Sequence, residues 1–136
     1  MSKLGHMLQG IEMDEDLLLK NLSEKQDVNI IFEDDVLIVV HKPAEFLSVP
    51  GKNISDSVYT RIKEKYPLAT GPLIVHRLDM STSGILVLTK TKDANKKLQE
   101  QFIKRTVKKR YVALLDGHIS ENEGEINLPL RVDLED

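Results

Sequence analysis

Residues 28–40 read VNIIFEDDVLIVV, and this stretch decides the fold class. Two runs rich in β-branched side chains, residues 28–32 and 36–40, flank the acidic residues 33–35. Such runs on either side of a short polar turn predict two strands with a tight connection. The HKP sequence at residues 41–43 ends the second run, because proline cannot donate a hydrogen bond in a central strand ladder.

After this hairpin the pattern predicts a helix and then another strand. Ser55 or Asp56 can cap the helix, because both side chains accept hydrogen bonds from free backbone N–H groups. Apolar side chains then recur at four-residue spacing before the proline at position 67, namely Val58, Ile62 and Tyr66. The run ILVL at residues 85–88 is apolar throughout, which predicts a strand covered on both faces.

A second helix is predicted to begin at Thr91 or Asp93. Its apolar face carries Ala94, Leu98 and Phe102, and the charged side chains off that face are Lys96, Lys97, Glu100 and Lys104. Residues 111–115 (YVALL) and residues 125–127 (EIN) predict two further strands. The sequence therefore predicts an α+β domain, with an antiparallel or mixed sheet and flanking helices.

Composition limits the classes of protein to which the chain can belong. Its 136 residues fit one globular domain, and the absence of cysteine excludes thiol catalysis, cysteine-ligated zinc and disulfides. The apolar runs are far shorter than the ~18 residues of a membrane span, and the N-terminus lacks the pattern of a secretory signal. We expect a cytoplasmic protein with no membrane partner, in which residues 1–27 are a leader and residues 28–136 form the domain.

Charge is distributed unevenly along the chain. Residues 92–110 carry eight basic and two acidic side chains, a net charge of +6, although the whole chain has a net charge of −3. Residues 1–36 and residues 111–136 are strongly acidic. A basic segment between acidic flanks is typical of a phosphate-binding surface, and it also fits a solvated helix face rich in lysine.

The densest polar cluster is HRLDMSTSG at residues 76–84, directly before the predicted strand. Arg77 and Asp79 are two residues apart, so an extended backbone points both side chains to the same face. A guanidinium beside a carboxylate favours the ionised acid, which suits Asp79 to work as a nucleophile or base. The hydroxyls at residues 81–83 can hold a carboxylate or touch a phosphate. The same spacing also fits an Arg–Asp pair that only orders a surface loop.

This cluster resembles the signature of the RluA-type pseudouridine synthases, in which HRLD is followed by two variable residues, Ser-Gly, an apolar strand and Lys-Thr. Residues 33–43 (EDDVLIVVHKP) resemble the opening strand pair of that family, with His41 where asparagine is usual. The SVPG sequence at residues 48–51 and the DSV sequence at residues 56–58 resemble the branch that modifies both large-subunit ribosomal RNA and transfer RNA. The KKRYVA sequence at residues 108–113 resembles the third motif of the family.

The resemblance implies an enzyme that isomerises a uridine in structured RNA without a cofactor or a metal. Asp79 matches the essential aspartate, which acts while the base–sugar bond is cleaved and the base is re-attached through carbon. Tyr111 matches the tyrosine that packs on the target base, and Arg77 matches the arginine that holds the RNA once the uridine has left its stack. Further substrate contacts are expected at His76 and Thr82, and phosphate contacts at Lys104, Arg105, Lys108, Lys109 and Arg110.

The family's catalytic domain continues beyond a segment similar to residues 128–130, so we expect this chain to be the N-terminal part of that domain, truncated at its C-terminus. The resemblance implies that the full-length enzyme is a monomer and that its later part supplies a basic partner for the aspartate and the apolar lining of the uracil pocket.

Two alternatives to an enzyme stay open at this stage. The chain could be a non-catalytic RNA-binding fragment, or a structural domain whose unpaired sheet edge awaits a partner. Metal binding is disfavoured because His41, His76 and His118 lack the spacing of metal ligands. A glycoside hydrolase is disfavoured because it needs two facing carboxylates, and the motif offers one.

Overall fold

The computed structural model describes residues 28–133, so the predicted leader lies outside the described residues. Its elements in chain order are β1 (Asn29–Glu33), β2 (Leu37–Lys42), α1 (Val58–Lys65), β3 (Gly84–Thr89) and α2 (Lys92–Ile103). The three strands form one antiparallel sheet in the order β1-β2-β3. The predicted α+β class and the antiparallel sheet are confirmed. Within residues 28–133, none of the helices has the length and apolar character needed to cross a membrane.

The turn between β1 and β2 is built by Asp34. Its Oδ1 atom accepts hydrogen bonds from the backbone N–H groups of Val36 at 2.8 Å and Leu37 at 2.7 Å. These two bonds are the main cause of the lowered pKa of the Asp34 carboxyl. An aspartate that bonds the backbone two and three residues ahead is a common way to close a tight connection, which explains why the acidic residues form the turn.

The hydrophobic core lies between one face of the sheet and helix α1. Its buried side chains are Ile38, Val40, Val58, Ile62, Leu73, Leu78, Leu86 and Leu88. Full burial of one such aliphatic side chain stabilises the fold by about 1.5–3 kcal/mol. Lys42 continues the inward-facing row of β2 because side chains alternate along a strand, and it is also fully buried.

The helix caps agree in part with the sequence. Helix α1 is capped by Ser57, so the predicted caps Ser55 and Asp56 are wrong. Ser57 has the advantage of a reciprocal bond: its hydroxyl accepts from the Thr60 N–H, while the Thr60 hydroxyl accepts from the Ser57 N–H. Thr91 caps α2 as predicted, and its hydroxyl accepts from the Ala94 N–H at 3.2 Å.

Strand β3 is covered less completely than its apolar sequence predicts. Leu86 and Leu88 are fully buried on the α1 side, but Ile85 is 60% exposed. The predicted coverage of both faces is therefore wrong at the beginning of the strand. Helix α2 follows β3 after a single turn and covers the other end, where Thr89 is buried.

The strands predicted at residues 111–115 and 125–127 are wrong. The described strand pairings do not include either segment, and side chains such as Val112 and Leu114 are almost fully exposed. A strand needs a neighbour to satisfy its backbone N–H and C=O groups, and sequence propensity alone does not supply one. Residues 108–133 are all exposed, and we call this segment the C-terminal tail.

Candidate active site

The HRLD sequence lies in the loop that leads from the core into β3. The Asp79 carbonyl accepts a hydrogen bond from the Thr82 N–H at 3.1 Å, which makes residues 79–82 a turn. Within this turn the Asp79 side chain is exposed and Thr82 is half-buried. The exposed carboxylate is therefore presented on a short, hydrogen-bonded turn directly before the strand.

Ser48 holds the residue before Asp79. Its Oγ atom donates to the Leu78 carbonyl at 2.6 Å and accepts from the Leu78 N–H at 3.0 Å. Ser48 is only 3% exposed, and Leu78 places its own side chain in the core. One hydroxyl therefore satisfies both backbone groups of the residue that precedes the aspartate.

Lys42 holds the residue after Asp79. Its Nζ atom donates to the carbonyls of Met80 at 3.1 Å, Phe46 at 2.6 Å and Pro43 at 2.9 Å. Three acceptors match the three N–H groups of an ammonium, so the buried charge is fully hydrogen-bonded. Burial lowers the pKa of Lys42, and the negative charges of Glu45 and Asp79 act in the opposite direction.

Residues 42–48 therefore form hydrogen bonds to the backbone on both sides of Asp79, at Leu78 and at Met80. The Met80 carbonyl also accepts from the Phe46 N–H at 3.2 Å, which adds a backbone bond to the Lys42 contact. Residues 42–48 are in turn attached to α1, because the Ser48 carbonyl accepts a hydrogen bond from the Tyr59 N–H at 3.0 Å. Arg61 of α1 lies 4.7 Å from the centre of the Phe46 ring and pairs with Asp56.

His76 faces the interior of the fold. Its Nε2 atom accepts a hydrogen bond from the Val87 N–H of β3 at 3.0 Å, and its ring stacks on Phe102 of α2 with 4.7 Å between centroids. Accepting this bond requires a neutral ring with the proton on Nδ1. Burial and, second, the charge of Lys109 lower the pKa of His76, which favours that neutral form.

This contact also bears on the outer edge of the sheet. Along β3, the Thr89 N–H donates to the Leu73 carbonyl at 2.9 Å, and two residues earlier the Val87 N–H donates to His76. The imidazole thus takes the place of a backbone acceptor on the edge of β3. The protein's own chain satisfies this part of the edge, which weakens the alternative of a sheet edge awaiting a partner.

The remaining predicted site residues are exposed. Arg77 is exposed like Asp79, but the ion pairs found within residues 28–133 do not include an Arg77–Asp79 pair. The alternative of an Arg77–Asp79 ion pair that only orders a surface loop is therefore not supported within residues 28–133. On the other side of the turn, the negative charge of Asp79 is one of two that raise the pKa of Lys42 against the larger effect of burial.

Tyr111 and the basic run lie beyond α2. Tyr111 is 63% exposed, and no hydrogen bond or ring contact of the described residues joins it to Asp79. The basic side chains Lys104, Arg105, Lys108, Lys109 and Arg110 are all exposed. Lys109 lies 5.5 Å from the centre of the Phe102 ring, whose other neighbour is His76. Lys109 of the basic run and His76 of the HRLD motif therefore both lie against the ring of Phe102.

Residues 28–133 hold no cluster of three histidine or acidic side chains able to bind a metal ion.

Lys42 and Ser48 hold the backbone on either side of Asp79, and neither was among the site residues predicted from the sequence. Lys42 could have been found from alternation, because it lies two residues beyond Val40 and four beyond Ile38 on the inward row of the strand, where a lysine needs buried partners. Ser48 gives no such signal, because its partner is 30 residues away and the contact depends on how two loops meet.

Comparison with known proteins adds independent information. The family model described as RNA pseudouridylate synthase matches residues 36–135. The dual-specificity RNA pseudouridine synthase RluA of Escherichia coli strain K12 is 49% identical over 106 residues, which cover 76% of this chain and 47% of that protein. The enzyme of the same name from Vibrio parahaemolyticus is 48% identical over 107 residues, covering 77% of this chain and 42% of that protein.

The fold is also similar to a solved structure. Human RNA Pseudouridylate Synthase Domain Containing 1 superimposes with a TM-score of 0.57 at 29% identity, over 70% of this chain and 35% of that one. This chain spans about half the length of the curated relatives that it matches.

Proposed function

Because the chain belongs to the RNA pseudouridylate synthase family, of the RluA type, we propose that it carries the catalytic aspartate of an enzyme that converts a specific uridine to pseudouridine. The proposed substrates are large-subunit ribosomal RNA and transfer RNA, in keeping with the dual specificity named for the relatives. The proposal assigns the catalytic role to Asp79.

The observation that carries this proposal is the support around Asp79. Its carboxylate is exposed, while the residues on either side are held by buried groups, Ser48 at Leu78 and Lys42 at Met80. Catalysis depends on holding a reactive group within a few tenths of an ångström of its working position. An exposed acid on a backbone fixed from both sides meets that requirement, whereas an ordinary surface acid does not need it.

The reaction is an isomerisation that requires no external reagent. The bond between N1 of uracil and C1′ of ribose breaks, the base turns, and a bond forms between C5 and C1′. The C5 proton leaves and N1 gains a proton, so atoms and charge balance. Asp79 serves this sequence as a nucleophile or base, the two roles open to a carboxylate.

The other predicted residues are proposed to hold the RNA. Tyr111 stacks on the target base after it leaves its helix, and Arg77 and Thr82 contact the nucleotide beside Asp79. Lys104, Arg105, Lys108, Lys109 and Arg110 contact phosphates, which gives affinity with little sequence choice. His76 differs from these residues: its engaged Nε2 atom and its stacking on Phe102 support a role inside the protein.

We propose further that the enzyme works as a monomer in the cytoplasm. Asp79 and the groups that hold it belong to one chain, and the proposed RNA substrates belong to that compartment. Light scattering of the purified protein, with and without transfer RNA, tests the monomer.

The function is tested by measuring pseudouridine in transcripts of large-subunit ribosomal RNA and transfer RNA. The chain is assayed alone and in a chimaera, in which it replaces the matching 106 residues of the E. coli enzyme. The matched control is Asp79→Asn, which keeps the shape of the side chain and removes its charge. We expect product from the chimaera, and a loss of at least about 100-fold in the control, the lower range for a group in acid–base catalysis.

A second candidate function is RNA binding without catalysis by this chain. It is favoured by the exposed basic run and by the lack of any contact between Tyr111 and Asp79. It predicts that the chain assayed alone binds transfer RNA but makes no product, and that Asp79→Asn does not weaken this binding. Equal product from the chimaera and its Asp79→Asn variant would contradict the catalytic assignment.

A further inference from the structure

We propose that Ser48 is a positioning residue for Asp79, acting through the backbone of Leu78. This inference rests on the proposed function, because it assigns Ser48 a part in the same reaction. Ser48 does not touch the RNA in this proposal. It sets the direction in which the chain leaves the core and hence the place of the Asp79 carboxylate.

The geometry begins with the two peptide groups on either side of Leu78. The Ser48 hydroxyl accepts from the Leu78 N–H and donates to the Leu78 carbonyl, at 3.0 Å and 2.6 Å. The first bond fixes the peptide plane before the Leu78 Cα atom, and the second fixes the plane after it. That second plane contains the Asp79 nitrogen and ends at the Asp79 Cα atom. A single hydroxyl thereby fixes both backbone torsions of Leu78.

Ser48 can do this because it is itself immobile. It is 3% exposed, and its carbonyl accepts from the Tyr59 N–H in the first turn of α1. The neighbouring Leu47 carbonyl accepts from the Val58 N–H at 2.9 Å. Helix α1 in turn packs into the core through Val58 and Ile62. The two hydrogen bonds between Ser48 and Leu78, which we call the Leu78 clamp, are therefore anchored to the hydrophobic core.

The chemistry of the side chain is specific. A hydroxyl donates one hydrogen bond and accepts another at a single atom, and the two bonds to Leu78 require both. Alanine provides neither bond. Threonine provides both and adds one methyl group, so a threonine variant separates the hydroxyl from the rest of the side chain.

A second buried serine offers a matched control. Ser57 is fully buried and caps α1 through Thr60, and none of its hydrogen bonds involves residues 76–83. Ser57→Ala also deletes one buried hydroxyl and its bonds. It therefore reproduces a general loss of stability, including that of the α1 turn to which Ser48 is anchored, and keeps both hydroxyl bonds from Ser48 to Leu78.

The first measurement is amide hydrogen exchange by NMR on the chain itself, which needs no RNA. In the unsubstituted chain we expect the Leu78 N–H to be protected. In Ser48→Ala we expect the exchange rate of the Leu78 amide to increase at least about ten times more than the rates of core amides in β2. In Ser57→Ala we expect the exchange rates of the Leu78 and β2 amides to increase by the same factor. Ser48→Thr should restore protection at Leu78. Parallel shifts of Leu78 and the β2 amides in Ser48→Ala would overturn the clamp.

The second measurement is pseudouridine formation by the chimaera with the E. coli relative, as kcat and KM separately. Displacement of a reacting group by about 1 Å costs on the order of 100-fold in rate, so we expect kcat of Ser48→Ala to fall by about that factor with KM unchanged. Ser57→Ala should retain kcat, and Ser48→Thr should recover most of it. A kcat of Ser48→Ala equal to that of Ser57→Ala would overturn the positioning role.

The two proposals fail in different ways. If the unsubstituted chimaera makes no product, or if Asp79→Asn is equally active, the proposed function fails and the positioning role fails with it. If the chimaera is active, Asp79→Asn is inactive and Ser48→Ala is fully active, only the positioning role fails.

Discussion

Asp79 and Tyr111 are the two side chains proposed to meet the target uridine, and their backbones are held in very different ways. Asp79 lies in a turn whose neighbours are held by Ser48, Lys42 and Phe46. Tyr111 lies in the C-terminal tail, is 63% exposed and belongs to no described strand. The difference shows that the backbone around Asp79, the proposed reactive acid, is held by the core of the described residues, whereas Tyr111, the proposed base-stacking residue, is exposed.

The largest expected effect on the Asp79 side is on stability, through Lys42. Lys42→Met keeps a long apolar stem but removes the donors to the carbonyls of Pro43, Phe46 and Met80. We expect the free energy of unfolding to fall by about 2–4 kcal/mol, because buried carbonyls lose their partners and a satisfied buried network is broken. Urea denaturation measures this loss.

The control for this substitution is Lys52→Met, at an exposed position of the same loop region. Surface substitutions of this kind usually change stability by less than about 0.5 kcal/mol. A Lys42→Met variant as stable as Lys52→Met would mean that the support on the Met80 side of Asp79 is dispensable.

The Tyr111 side should behave in the opposite way. Tyr111→Ala is expected to leave the unfolding free energy within about 0.5 kcal/mol of the parent, because an exposed side chain loses little packing. In the chimaera, the same variant should bind transfer RNA more weakly, and so form less pseudouridine, because stacking of one base on an aromatic ring contributes about 1–3 kcal/mol.

The control on this side is Tyr111→Phe, which keeps the ring and should keep the RNA phenotype of the parent. A marked loss of stability in Tyr111→Ala would place this residue in the fold instead of at the RNA. Normal RNA modification by Tyr111→Ala would remove it from the proposed site.

The same contrast marks what could be predicted from the sequence. The hairpin, helix α2 and its Thr91 cap follow from local patterns, because strand alternation, turn residues and caps act within a few residues. The HRLD motif identifies Asp79 as the acid of interest. The Lys42–Met80 contact spans 38 residues, and the Ser48–Leu78 contact spans 30, so their existence depends on tertiary packing that no local period encodes.

The wrong strand predictions have a related cause. Residues 111–115 have the composition of a strand, but composition measures how well side chains fit a half-buried sheet and not whether a neighbour is present. The N-cap of α1 shows the same limit on a small scale. Ser55, Asp56 and Ser57 are all good caps, and only the reciprocal bond with Thr60 decides among them.

The smallest expected effect concerns His76, which lies in the HRLD motif with Asp79. Its ring stacks on Phe102, and Lys109, two residues before Tyr111, lies near the same phenylalanine ring. Its pKa is lowered from 6.5 in the folded protein, so the unfolded chain binds a proton more readily. His76 therefore supports the fold fully above about pH 6.5, and stability falls as the pH drops from 6.5 through the folded pKa. For one group the slope cannot exceed about 1.4 kcal/mol per pH unit.

The matched variant is His76→Gln, whose amide oxygen can accept from the Val87 N–H but does not titrate. We expect the urea midpoint of the parent to fall between pH 7.5 and pH 5.5, and that of His76→Gln to fall less. This range lies above the titration of Glu33 and Asp34, whose pKa values are lowered from 4.5 and 3.8, so these carboxylates do not contribute. The charge of Lys109 also lowers the pKa of His76, so Lys109→Gln should raise this pKa toward 6.5. The urea midpoint should then fall less between pH 7.5 and pH 5.5 than it does in the parent. Equal pH dependence in the parent and His76→Gln would show that the bond to β3 does not depend on a neutral imidazole.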